Sequence, residues 1–134
     1  MKKIKISIIL FILLTACESK KNACSYLKKG EVCIKIINES GYKIKLLELK
    51  HERGIKNIVN LKNRAEEYTS IYCPGEGSYT IKVVFDDNKI VKSNGNYIEG
   101  GYRMTEIIHR DNIKSPASAS VTLVPTNKFN KPNK

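Results

Sequence analysis

Tyr79-Thr80-Ile81-Lys82-Val83-Val84-Phe85 places Tyr79, Ile81, Val83 and Phe85 on one face of an extended chain and Thr80 and Lys82 on the other. Alternation with this period, carried by β-branched and aromatic residues, predicts a strand with one face buried. Downstream, Asp86-Asp87-Asn88 is a turn that leads back into residues 89–93. Asn94-Gly95-Asn96 and Gly100-Gly101 bracket Tyr97-Ile98-Glu99, and residues 103–109 and 120–124 read as further strands. Upstream, Val32-Cys33-Ile34-Lys35-Ile36 alternates until Asn38-Glu39-Ser40-Gly41 ends it. Tyr42-Lys43-Ile44-Lys45-Leu46 alternates again, then changes face at Leu47-Glu48-Leu49, the mark of a β-bulge. His51-Glu52-Arg53-Gly54 is the next turn and residues 55–61 a weaker strand, with Asn63-Arg64 behind it. Residues 68–73 form another strand, stopped by Pro74-Gly75-Glu76-Gly77. Ala65-Glu66-Glu67 favours a helical turn, too short to alter the class.

Turn signals that recur about every 8–12 residues belong to antiparallel sandwiches and barrels. The expected fold is all-β: an antiparallel β-sandwich of immunoglobulin-like or transthyretin-like build, with about seven or eight short strands over residues 31–124. Residues 125–134 carry three Lys, three Asn and two Pro, and are expected to be a basic flexible tail.

The other end of the chain carries a different signal. Met1-Lys2-Lys3-Ile4-Lys5 is basic, Ile6-Ser7-Ile8-Ile9-Leu10-Phe11-Ile12-Leu13-Leu14 is an apolar run, and Thr15-Ala16 supplies the small residues that a signal peptidase grips before its cut. Crossing the hydrocarbon core as a helix takes about 20 apolar residues, about twice the run from Ile6 to Ala16. Leu14-Thr15-Ala16-Cys17 resembles the lipobox of bacterial lipoproteins, with Thr15 a mild departure from the usual Gly, Ala or Ser. The resemblance covers residues 1–17 alone. It implies that residues 1–16 are removed and that Cys17 carries a thioether-linked diacylglycerol, with a further acyl chain on its amine. Two or more chains hold a protein stably on a membrane, at about 0.8 kcal/mol per buried methylene. Glu18, where sorting rules read Asp as retention in the inner membrane, implies the outer membrane, with the domain facing the periplasm of the cell envelope. Residues 17–30 are then the lipidated N-terminus and a tether.

Cleavage leaves 118 of 134 residues, enough for one domain. Removing Lys2, Lys3 and Lys5 from the 24 basic residues leaves 21 against 13 acids, a formal net of +8. Such a surface attracts polyanions: lipid head groups, cell-wall carboxylates or an acidic protein. The lysines are scattered, which also fits an ordinary solvated surface. Nucleic acid is not an expected partner in an envelope. Beyond the anchor, Cys24, Cys33 and Cys73 are the disulfide candidates: one bridge is expected in an oxidising compartment, with one thiol left over and the pairing open. A zinc site needs paired short spacings and more ligands, so no metal is expected. No cofactor is expected beyond the lipid on Cys17.

Catalytic constellations are not evident. His51 sits in a charged turn and His109 ends a strand beside Arg110-Asp111; each reads as a surface residue. Glu66-Glu67 and Asp86-Asp87 are adjacent pairs, which a strand sends to opposite faces. Gly75-Glu76-Gly77 is explained by turn geometry. No small-molecule substrate is evident, and an enzyme is not the expectation. The stretch Tyr97-Ile98-Glu99-Gly100-Gly101-Tyr102-Arg103 has a loop composition suited to protein recognition, because Tyr and Arg lead among hot-spot residues. Tyr97, Glu99, Tyr102 and Arg103 are therefore the protein-binding candidates; the plainer reading is that the tyrosines cap the core and the glycines permit a tight bend. His51, Arg53, Arg64 and Arg103 form a second candidate rim.

Two functions of different class fit these features. The first is a membrane-anchored envelope lipoprotein whose periplasmic β domain binds a protein, in general build like immunity proteins and enzyme inhibitors of bacterial envelopes. The alternative is a structural lipoprotein subunit of an envelope or secretion assembly. A pull-down or a neighbouring toxin-like gene separates them.

Overall fold

The computed structural model describes residues 24–116, and the expectations for the signal peptide, Cys17, a strand at 120–124 and the tail at 125–134 lie outside them. Among the described residues, nine strands form two sheets packed face to face. They are β1 (Glu31–Asn38), β2 (Ile44–His51), β3 (Gly54–Leu61), β4 (Glu66–Tyr72), β5 (Glu76–Phe85), β6 (Ile90–Lys92), β7 (Asn96–Glu99), β8 (Arg103–Ile108) and β9 (Ile113–Lys114). The first sheet has the order β4-β1-β8-β9. In the second the order is β3-β2-β5-β6, and β7 follows β6 along the same edge of β5.

The strand that decides the sequence reading is the spine of the second sheet. Tyr79, Ile81, Val83 and Phe85 are all at most 1% exposed. They face Val32, Ile34 and Ile36 of β1, the spine of the first sheet, which are fully buried. Ile44, Leu47 and Leu49 of β2 complete the centre. Burying each such side chain contributes about 1.5–3 kcal/mol.

The β-bulge expected in β2 is present, and it lies between Ile44 and Leu46 rather than at Leu47-Glu48-Leu49. Ile44 and Leu47 are both buried although three positions apart, which period-2 alternation permits only if one extra residue is accommodated. The Ala65-Glu66-Glu67 stretch gives no helical turn: Glu66 opens β4, which pairs with β1 over seven residues. Pairing with the partner strand outweighs a weak local preference. Residue 76, read as part of a turn, begins β5.

Among the described strands one pair departs from antiparallel order: β1 and β8 run parallel, with Cys33 opposite Arg103 and Asn38 opposite Ile108. Between them the chain visits the second sheet twice, and β8 returns beside β1 in the same direction. Parallel neighbours require such a long crossover. At the end of β1, buried Asn38 ties two turns together. Its side-chain amide donates to the carbonyls of Tyr42 (2.8 Å), Leu61 (3.1 Å) and Lys62 (3.1 Å), and its side-chain oxygen accepts from the Ser40 hydroxyl at 2.7 Å.

Candidate binding surface

Three connections meet at the end of the sandwich where β1 begins. Cys73 N–H donates to Gly30 O (2.7 Å), Gly100 N–H to Gly75 O (3.2 Å) and Gly101 N–H to Glu31 O (2.8 Å). The backbones approach so closely that a Cβ on Gly100 would lie 2.8 Å from Cys73 O and 3.0 Å from the Gly30 Cα. Gly100 is therefore fixed by packing and Gly101 by its φ of +95°.

The segment leading into β1 is fastened at the same end. Cys24 and Cys33 form a disulfide with a Cα–Cα distance of 5.5 Å, and the Arg103 guanidinium donates to Cys24 O at 2.7 Å. Cys73 is the free thiol among the described residues. Its neighbours His51, Arg53, Tyr72 and Glu76 line a cleft of about 220 Å³ between the β2–β3 hairpin and the β4–β5 turn. Arg53 lies 5.0 Å from the centre of the Tyr72 ring. Burial, with the positive charges of Lys56 and Arg53, holds His51 below its ordinary value, so its imidazole is neutral near pH 7.

Strand parity gives the second sheet an outer face of mixed character. Across it, β3, β2, β5 and β6 align Val59, Leu46, Val84 and Ile90 in one row. The next row is Asn57, Glu48, Lys82 and Lys92, where Lys82 and Glu48 are paired at 2.8 Å. Beyond it stand Ile55, Lys50 and Thr80. Glu48, Lys50, Ile55, Thr80, Lys82 and Lys92 border a groove of about 370 Å³. Further along the same face come Tyr97 opposite Ser78, and Glu99 opposite Glu76.

The four residues singled out in sequence thus divide. Tyr97 and Glu99 are exposed on the outer face of the second sheet. Tyr102 is half-buried against the core and meets Tyr97 edge-on, with ring centres 6.4 Å apart. Arg103 belongs to β8 in the first sheet, where it holds Cys24 in the segment before β1. Desolvation foremost, then the carboxylates of Glu76 and Glu99, push the Tyr97 phenol above its usual value. The second rim does not converge either. His51 and Arg53 share the cleft, whereas Arg64 bonds through its N–H to Asn38 O, at the other end of β1.

Glu106 escaped the sequence reading. It is fully buried, pointing inward from β8, where it accepts from the Tyr79 hydroxyl, Asn96 (2.8 Å) and Ser115 (2.6 Å). The group bridges the two sheets and secures the segment after β9. Burial pushes the Glu106 carboxyl above its ordinary value, partly offset by the bonds from Ser115, Tyr79 and Asn96. Burial, then the neighbouring Glu106, raises the Tyr79 phenol. Parity around Met104 and Ile108 marks position 106 as inward, and that is the only sequence signal for it.

No group of three or more His, Cys, Asp or Glu arranged to hold a metal occurs among the described residues. No family model and no curated protein matches this sequence. A solved structure described as the NMR structure of a protein from Eubacterium rectale is similar, with a TM-score of 0.55 at 12% identity. The match covers 67% of this chain and 92% of that one, and it speaks for the fold.

Proposed function

We propose that this chain is a bacterial envelope lipoprotein, lipidated on Cys17, whose β-sandwich is a protein-binding module of the immunity or inhibitor kind. The observation that carries the reading is how the sandwich holds its tether. Cys24, seven residues after Cys17, is bonded to Cys33 in β1 and gripped by Arg103. Seven extended residues span at most about 25 Å, so a lipid on Cys17 keeps the domain close to the membrane surface. A disulfide at that position suits the oxidising side of the membrane. The exposed tyrosine and mixed charged and apolar outer face of the second sheet suit recognition of a folded protein.

Affinity capture with the tagged full chain from envelope extract tests the proposal. The expected result is one dominant protein in equimolar amount. Recovery of several envelope subunits, or of cell-wall sediment, would overturn it in favour of a structural subunit.

A further inference from the structure

Resting on the binding-module reading, we infer that the outer face of the second sheet is the docking surface and that its occupant is an acidic protein. Three side chains of this face are large, apolar and more than half exposed: Ile55 (56%), Val59 (61%) and Ile90 (52%). Val59 and Ile90 end one cross-strand row whose inner members are Leu46 and Val84. Four strands at about 4.8 Å spacing make that row about 14 Å wide. Beside it runs a basic band. Lys82 is neutralised by Glu48, whereas Lys50 and Lys92 have no ion-pair partner among the described residues. Both lie at the groove, where a partner's carboxylates would complete the charge pattern around an apolar contact. Tyr97 is an exposed aromatic further along the face, beside the carboxylates of Glu76 and Glu99, so the basic part of the surface is the band at Lys50 and Lys92.

Photo-crosslinking in cells, with the full chain carrying benzoylphenylalanine at Val59, Ile90 or, as a control on the first sheet, Tyr68, tests this. The expected result is an adduct from Val59 and Ile90 with one acidic protein, and none from Tyr68. Lys50→Glu with Lys92→Glu should lower the yield about tenfold, since reversing rim charges turns attraction into repulsion. Both lysines are exposed, so the double variant should accumulate like the parent. Adducts with lipid, with a second copy of the chain or with a protein indifferent to charge reversal would overturn the inference. A protein adduct from Tyr68 alone would overturn this surface and leave the binding module standing. Absence of protein adducts at every position would overturn both.

Discussion

Glu106 shows how much a single side chain settles in this fold. A carboxyl in an apolar core is costly unless its oxygens are occupied, and here three donors from β5, β7 and the segment after β9 converge on it. Truncation by Glu106→Ala leaves the Tyr79 hydroxyl without its acceptor and should cost about 3 kcal/mol in urea unfolding. Glu106→Gln separates charge from hydrogen bonding. The folded carboxyl titrates above its ordinary value of 4.5, so its contribution is fully present below pH 4.5 and is lost as pH rises through the raised value. The parent should therefore lose stability relative to Glu106→Gln as pH is raised from 4.5. A constant difference across that range would show that the carboxyl is not strained by burial.

At the scale of the element, the disulfide is the most consequential contact. A closed loop with a sequence separation of 9 stabilises by about 2.5 kcal/mol in the chain-entropy model, less than a Cys33–Cys73 bridge would. Alkylation of the unfolded, unreduced chain should label Cys73, with Cys24 and Cys33 labelled only after reduction. Protection of Cys73 would mean a different pairing. The strands themselves were legible because one face of each is buried: β5 and β1 declare themselves in their alternation. Less legible was whatever depends on neighbours distant in sequence. Strand β7 resembles a loop in sequence because four residues between glycines carry too little period, and its pairing with β5 is what makes it a strand. The two-residue β9 has no pattern of its own and exists through β8. The Tyr97–Arg103 stretch looked like one site in sequence, but it crosses from one sheet to the other, so Tyr97 and Arg103 emerge on opposite outer faces. Spacing also left the disulfide open among three cysteines.

For the whole molecule, one arrangement links fold and proposed function. The first sheet holds the segment before β1, and the second sheet turns outward a face with an apolar row and a band of lysines. A lipid at Cys17 would thus hold one side of the domain near the bilayer and leave the other open to a partner. Palmitate labelling with fractionation tests that arrangement most directly. The full chain should take up labelled palmitate and sediment with membranes. Its Cys17→Ala variant should remain an unlabelled, uncleaved precursor. Labelling that persists in Cys17→Ala, or a parent chain that stays unlabelled and soluble, would contradict the account.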